Sequence, residues 1–308
     1  MPALPRFLPD LVDVALEVSI AGSFSRLGYL TRRRVEGWTP PPRLDGRTVL
    51  VTGASSGIGR AAARALIDLG ADVWLVGRDR DRLEAAAEGG GRPIVCDLVQ
   101  PDQLDELVDM VKGSGSPLDA LLHNAGALFN DRREAPDGTE LTVATHVLAP
   151  FRLTRRLPAV PVMVTMSSGG MYTARFDLDE LEMAPDDYKG AVAYARAKRA
   201  QVVLAEEWGR RSGGHSYSMH PGWASTPGVS TSLPGFSRLG PALRTPAEGA
   251  DTAVWLIALA LSGPAAPENG FWMDRRRRGE YYRPGTGRSP DQRRADGQAL
   301  WDWCAARA

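Results

Sequence analysis

The spacing of apolar residues changes character along the chain. Leu8, Leu11, Val12, Ala15 and Val18 recur at helical spacing with acids between them, and the spacing predicts one amphipathic helix followed by a second, short one near 23–34. Thr-Pro-Pro-Pro at 39–42 stops any helix. From residue 48 onward, short β-branched runs alternate with helical patterns. The runs are TVLVT (48–52), DVWLV (72–76), PIVC (93–96), LDALLH (118–123), VMVT (162–165), SYSMH (216–220) and GFWMD (270–274). Helices are predicted over 57–69, from 79, over 101–112, through ATHVLAPFRLTRRL (144–157), and over about 190–211 and 246–262, with a last one in ALWDWCAARA. Such alternation predicts an α/β fold: a doubly wound parallel sheet (Rossmann fold) of about seven strands with helices on both faces. We read 1–45 as a helical arm and 46–308 as one domain that includes the terminal helix.

Composition narrows the function. Lys+Arg and Asp+Glu balance at 37 each in 308 residues, so bulk charge points to no nucleic-acid partner. The two cysteines, Cys96 and Cys304, make neither a disulfide framework nor a zinc pattern and fit a reducing compartment, so a cytoplasmic location without a metal is expected. No run of about eighteen uncharged apolar residues suggests a spanning helix. Asp10, Asp13 and Glu17 break the first apolar stretch, which is therefore not expected to be a signal peptide. The arm is expected to pack on the domain, with a membrane surface or a dimer partner as the sharper reading; the basic cluster Arg32–Arg34 suits either. The run Arg275–Arg278 reads as a solvated loop.

The turn after the first strand, TGASSGIG, opens a helix and carries Gly53, Gly57 and Gly59 together with Ser55, Ser56 and Ile58. Glycines allow a tight turn and close backbone approach, and the helix start offers free N–H groups to a pyrophosphate. At the end of the second strand the first polar residue is Arg78. An acid there would bind a free ribose 2′-OH; an arginine favours a 2′-phosphate, so NADP is expected, with NAD as the alternative. Asp97, followed by Leu98, stands after the third strand where a carboxylate can accept from an adenine amino group.

Tyr194 and Lys198 in YARAK are four residues apart and share a helix face. A phenol is a poor acid–base group at neutral pH unless an ammonium lies near it. Serines in TMSSGG close the fifth strand, at the carboxyl edge where ligands bind.

TGASSGIG, NAG (124–126), SS (167–168), YARAK and PGWAST (221–226), in this order, resemble the short-chain dehydrogenase/reductase family over roughly 46–275. SSGGM, YARAKRAQVVLAEEW, MHPGWASTPGV and GADTAVWL resemble one branch of it more narrowly. The resemblance implies that Tyr194 gives or takes the proton of the substrate oxygen, that Lys198 lowers the tyrosine pKa and binds the nicotinamide ribose, and that Ser168, rather than Ser167, positions that oxygen. It implies that Pro221, Gly222 and Thr226 hold the nicotinamide carboxamide, and that Asn124, Ala125 and Gly126 line the adenine-ribose side. His123 replaces a first asparagine and is read as structural. His146 falls where the family has a helical asparagine that acts through its backbone carbonyl. Pro150 has no N–H, so the donor that would occupy the carbonyl of His146 in an α-helix is missing. We therefore expect that carbonyl to be freed for a water relay, with the imidazole as a secondary proton carrier; the alternative is a mere kink, with His146 packed and satisfied by a neighbour.

Between Ser168 and Tyr194 lie 25 residues, an insertion expected beside the pocket as in retinoid- and steroid-type reductases. Met171, Tyr172, Trp223 and Phe236 would make that pocket apolar, and the terminal helix, with Leu300, Trp301 and Trp303, would cover it or a subunit interface. The expected function is hydride transfer between a nicotinamide and a hydrophobic carbonyl or alcohol, in a monomer or homo-oligomer. The alternatives are a cofactor-binding regulatory or scaffold protein with little turnover and, less well supported by the glycine spacing, an epimerase or dehydratase.

Overall fold

The computed structural model describes residues 8–226, 240–263, 266–282 and 287–308. Strand β1 (Thr48–Thr52) is buried along its whole length. A strand apolar on both faces needs cover on both, which places it at the centre of a parallel sheet. It pairs in parallel with β2 (Asp72–Gly77) and β4 (Ala120–His123). β3 (Arg92–Val95) extends one wing; β5 (Val162–Met166), β6 (His215–Met219) and β7 (Gly270–Met273) extend the other. The order is β3-β2-β1-β4-β5-β6-β7-β8. It reverses between β1 and β4, which opens a crevice at the carboxyl ends of the strands.

The eighth strand, β8 (Arg276–Arg277), lies in the arginine run and pairs antiparallel with β7. The reading of that run as a solvated loop is therefore corrected. Asp274 and Arg275 form the two-residue turn with φ of 53° and 55°. Left-handed backbone at both positions is what a tight hairpin turn needs, although neither residue is glycine.

Helices α4 (Gly57–Asp68) and α10 (Pro246–Leu261) cover one face of the sheet, burying Leu66, Ala253 and Ile257. The other face carries α6 (Pro101–Gly113), the short α7 (Leu141–Val143), α8 (Ala149–Arg156) and α9 (Gly190–Ser212). α5 (Arg80–Ala87) follows β2. The terminal helix α11 (Pro290–Ala305) packs on α9 through Leu300 and Cys304, with the Trp301 ring 4.5 Å from that of Trp208. None of its residues lines the cavity described below, so it does not cover the pocket.

The arm has three helices rather than two: α1 (Leu8–Glu17), α2 (Ile20–Phe24) and α3 (Arg26–Glu36). The expected second helix is divided at Ser25, whose backbone is extended. Arg32, 1 % exposed, joins the arm to the domain by pairing with Asp13 and Glu17 on α1 and with Asp274 at the hairpin turn. Arg276 and Arg278 also bind arm carboxylates.

Candidate active site

A cavity of about 1320 Å³ runs along the carboxyl ends of the strands. Every candidate cofactor and catalytic residue named from the sequence lines it.

At one end, Gly53 and Gly57 take φ of 66° and 54°. A Cβ on Gly59 would meet the Gly53 carbonyl oxygen at 2.2 Å, so the α4 start can approach the turn only as glycine. Ser56 makes no side-chain cap, which leaves the first N–H groups of α4 available to an anion. Asn124 is a strut: its amide donates to the carbonyls of Thr52 (3.0 Å) and Gly53 (3.2 Å). The backbone N–H groups of Asn124 and Ala125 both donate to the Thr52 hydroxyl. β1 and β4 are thereby locked at the crevice. Arg78 leaves β2 with its guanidinium exposed, 4.0 Å from Asp97. Asp79 caps α5 by accepting from the Arg82 N–H, so its carboxylate is already engaged.

At the other end, α9 presents Tyr194 and Lys198, and Ser168 follows β5. Burial raises the Tyr194 pKa, and a hydrogen bond with Ser168 opposes that rise. Lys198 donates to the Met166 carbonyl (2.8 Å) and to Gln201 (3.0 Å). Burial brings its pKa down to about 7. Its Nζ lies 5.4 Å from the centre of the Tyr194 ring. Ser167 is turned away, donating to the Lys198 carbonyl at 2.9 Å.

The helix carrying His146 departs from α geometry over Ala144–Leu148, where a π turn brings the Ala149 N–H to the Ala144 carbonyl. The distortion ends at Leu148, two residues before Pro150, the second residue of α8. The imidazole is fully buried, and its Nε2 lies 2.8 Å from the Ala127 carbonyl. A carbonyl only accepts, so Nε2 carries the proton. Burial first, and the Lys198 charge second, hold the pKa well below the ordinary histidine value. The ring is therefore neutral and fixed, which argues against the expected secondary role as a proton carrier. His123, at the end of β4, bonds Thr154 of α8 at 2.7 Å and does not line the cavity.

The loop after β6 is shaped by residues the sequence did not single out. Gly222 has φ 73°, and a Cβ there would strike Arg244. Arg244 donates to the carbonyls of Ser23 and Phe24 and pairs with Asp274. The Trp223 N–H donates to the Phe24 carbonyl at 2.8 Å. Phe24 of the arm thus joins Tyr172, Trp223 and Tyr282 around the cavity. Tyr172 and Trp223 line it as expected. Met171 does not; it is buried against Val202 and Phe271. Phe236 lies outside the described residues. Among the described residues no His/Cys/Asp/Glu group could hold a metal.

A glycine turn at the switch point of a parallel sheet defines a nucleotide-binding α/β protein of the Rossmann class. The sequence profile of the short chain dehydrogenases matches residues 47–173. Dehydrogenase/reductase SDR family member 12 of Bos taurus is 40% identical over 250 residues, 76% of this chain and 78% of that one. Retinol dehydrogenase 14 of Mus musculus is 29% identical, over 80% of this chain and 84% of its own. A short chain dehydrogenase of Escherichia coli CFT073, solved in complex with NADPH, superposes with a TM-score of 0.55 at 26% identity, covering 70% of this chain and 92% of the other. The chain belongs to the short-chain dehydrogenase/reductase family and is an oxidoreductase.

Proposed function

We propose that the protein transfers a hydride between NADP and a hydrophobic carbonyl or alcohol, with Tyr194 as acid–base. The observation that carries this reading is the convergence of Tyr194, Ser168 and Lys198 at one end of a cavity whose other end holds the glycine turn and Arg78. The residues fit a dinucleotide: the turn excludes Cβ atoms at Gly53 and Gly59, and the α4 start is uncapped. Arg78 is exposed, and the nearby Asp79 is engaged with its own helix, which supports a 2′-phosphate over a free hydroxyl. The E. coli relative with NADPH supports the same choice.

When bound, the nicotinamide supplies or accepts the hydride. Ser168 holds the substrate oxygen beside the Tyr194 hydroxyl, which gives it the proton in reduction and takes it back in oxidation. Lys198 supplies positive charge beneath the tyrosine. The backbone carbonyl of His146, in the π turn, is assigned to the water that returns the proton. The aromatic wall from Phe24, Tyr172, Trp223 and Tyr282 suits an apolar substrate, and the retinol dehydrogenase relative agrees with it.

Cofactor fluorescence with NADPH and NADH, followed by a panel of apolar aldehydes and ketones, tests the reading. Tighter NADPH binding and turnover of apolar carbonyls are expected. Tighter NADH binding would refute the role of Arg78. Binding without turnover across the panel would favour a cofactor-sensing protein.

A further inference from the structure

The arm buries Phe24 and Tyr29 against the domain, yet it keeps a second apolar face turned outward. On α1 and the residue that follows it, positions 11, 14, 15 and 18 share one face and positions 13 and 17 the opposite one. The first face points outward, with Leu11 59 %, Val14 64 % and Val18 85 % exposed. The second points to the protein, where Asp13 and Glu17 both meet Arg32. On α3, Leu27 and Leu30 point outward while Arg32 is buried. Ile20 on α2 continues the outward surface. Of the nine exposed large hydrophobic side chains among the described residues, six lie between Leu11 and Leu30. A helix packed on a domain in water has the reverse arrangement.

Charge is sorted in the same way. Asp10 and Glu36 pair with Arg276, Asp13 with Arg32 and Arg278, and Glu17 with Arg32. Every carboxylate of α1 and α3 is thus drawn to an arginine of the internal network. Arg33 and Arg34 are exposed and make no ion pair among the described residues. Arg34 falls between Leu27 and Leu30 around the helix. The outward face is therefore apolar and carries unpaired positive charge.

We propose that this face docks on an anionic lipid bilayer, with its apolar side chains at the headgroup–acyl boundary and Arg33 and Arg34 among the headgroups. Among the described residues no helix is long and apolar enough to cross a membrane, so the arm lies along the surface. Ile20 belongs both to this face and to the cavity wall, and Phe24 lines the cavity behind it. Docking brings the cavity to the lipid, and an apolar substrate dissolved there reaches Tyr194 without crossing water. That last step rests on the function proposed above; the docking does not.

Flotation of the full chain with phosphatidylcholine vesicles, with and without phosphatidylglycerol, tests the docking. Binding is expected with the anionic vesicles. Val18→Asp and Leu27→Asp should each weaken it about tenfold or more. Arg33→Glu and Arg34→Glu should each weaken it at least about fivefold and flatten its salt dependence. NADPH binding and thermal midpoint should stay unchanged in all four variants. No flotation with anionic vesicles, or flotation that Val18→Asp leaves intact, overturns the proposal. A dimer by light scattering that Val18→Asp dissociates, with no vesicle binding, gives the face to a second copy and also overturns it. Vesicle binding without turnover of any carbonyl supports the docking and counts only against the reaction.

Discussion

A Cβ added to Gly126 would lie 2.4 Å from Cε1 of His146. The glycine of Asn-Ala-Gly and the histidine before Pro150 therefore form one packed contact, although 20 positions separate them in the chain. The ring cannot easily retreat, because Nε2 is bonded to Ala127 and the ring packs edge-on with Tyr194, centroids 5.3 Å apart. Gly126→Ala should destabilise the protein by about 1–3 kcal/mol in urea unfolding. Adding His146→Ala removes the obstructing ring, so the double variant should be more stable than the sum of the two single losses predicts. Strict additivity would mean that the contact carries no strain.

The same pair separates side-chain from backbone roles in turnover. Tyr194→Phe removes the transferable proton and should cost about 10²–10⁴-fold in kcat while NADPH still binds. His146→Ala keeps the backbone carbonyl in the π turn and should retain most of the activity. A loss in His146→Ala as deep as in Tyr194→Phe would refute the assignment to the carbonyl.

The pH profile follows from Lys198. Burial lowers its pKa to about 7, so the ammonium is present below that value and lost above it. Burial moves Tyr194 the other way and keeps the phenol protonated. Reduction needs the protonated phenol and the charged lysine together. Its kcat/KM, which reports the free enzyme, should be level in acid and fall as pH rises through about 7. Lys198→Arg, whose guanidinium keeps its proton, should be slower but without that fall. A wild-type profile that is level well into the alkaline range would contradict the assignment.

The sequence shows those parts of the fold whose cause is local. β1 is a run of β-branched and aliphatic residues, and its burial on both faces follows from that run. Tyr194 and Lys198 are four apart on one helix, and Pro150 marks the place of the π turn because a missing N–H is a property of the residue itself. The arm's attachment is not local. Arg32 reaches Asp274 across 242 positions and Arg244 reaches the Ser23 carbonyl across 221, and in sequence Arg32, Arg244 and Asp274 look like ordinary solvated charges. Arg276 and Arg277 lack the residue types that signal a strand, and hairpin pairing with β7 makes them one. Met171 sits next to Tyr172, but one turn of 3₁₀ helix sends one into the core and the other to the cavity.

Asp274 is the point on which that attachment can be tested. Its carboxylate meets both Arg32 and Arg244 in a buried network, and Arg244 in turn holds the carbonyls of Ser23 and Phe24. Asn accepts the same left-handed backbone, so Asp274→Asn removes the charge and leaves the turn geometry intact. A buried guanidinium without its carboxylate is costly, and a loss of about 3–5 kcal/mol is expected in chemical denaturation. Arg244→Met in the same background removes the stranded charge and should recover part of that loss. The functional effect should be uneven. Phe24 and Trp223 belong to the apolar end of the cavity, whereas Gly53 and Arg78 are held by β1 and β2. Arg244 also packs on Gly222, so NADPH affinity should fall modestly in Asp274→Asn while KM for a bulky apolar carbonyl rises several-fold more, and an equal loss of both would show that the network supports the whole fold instead of the substrate wall.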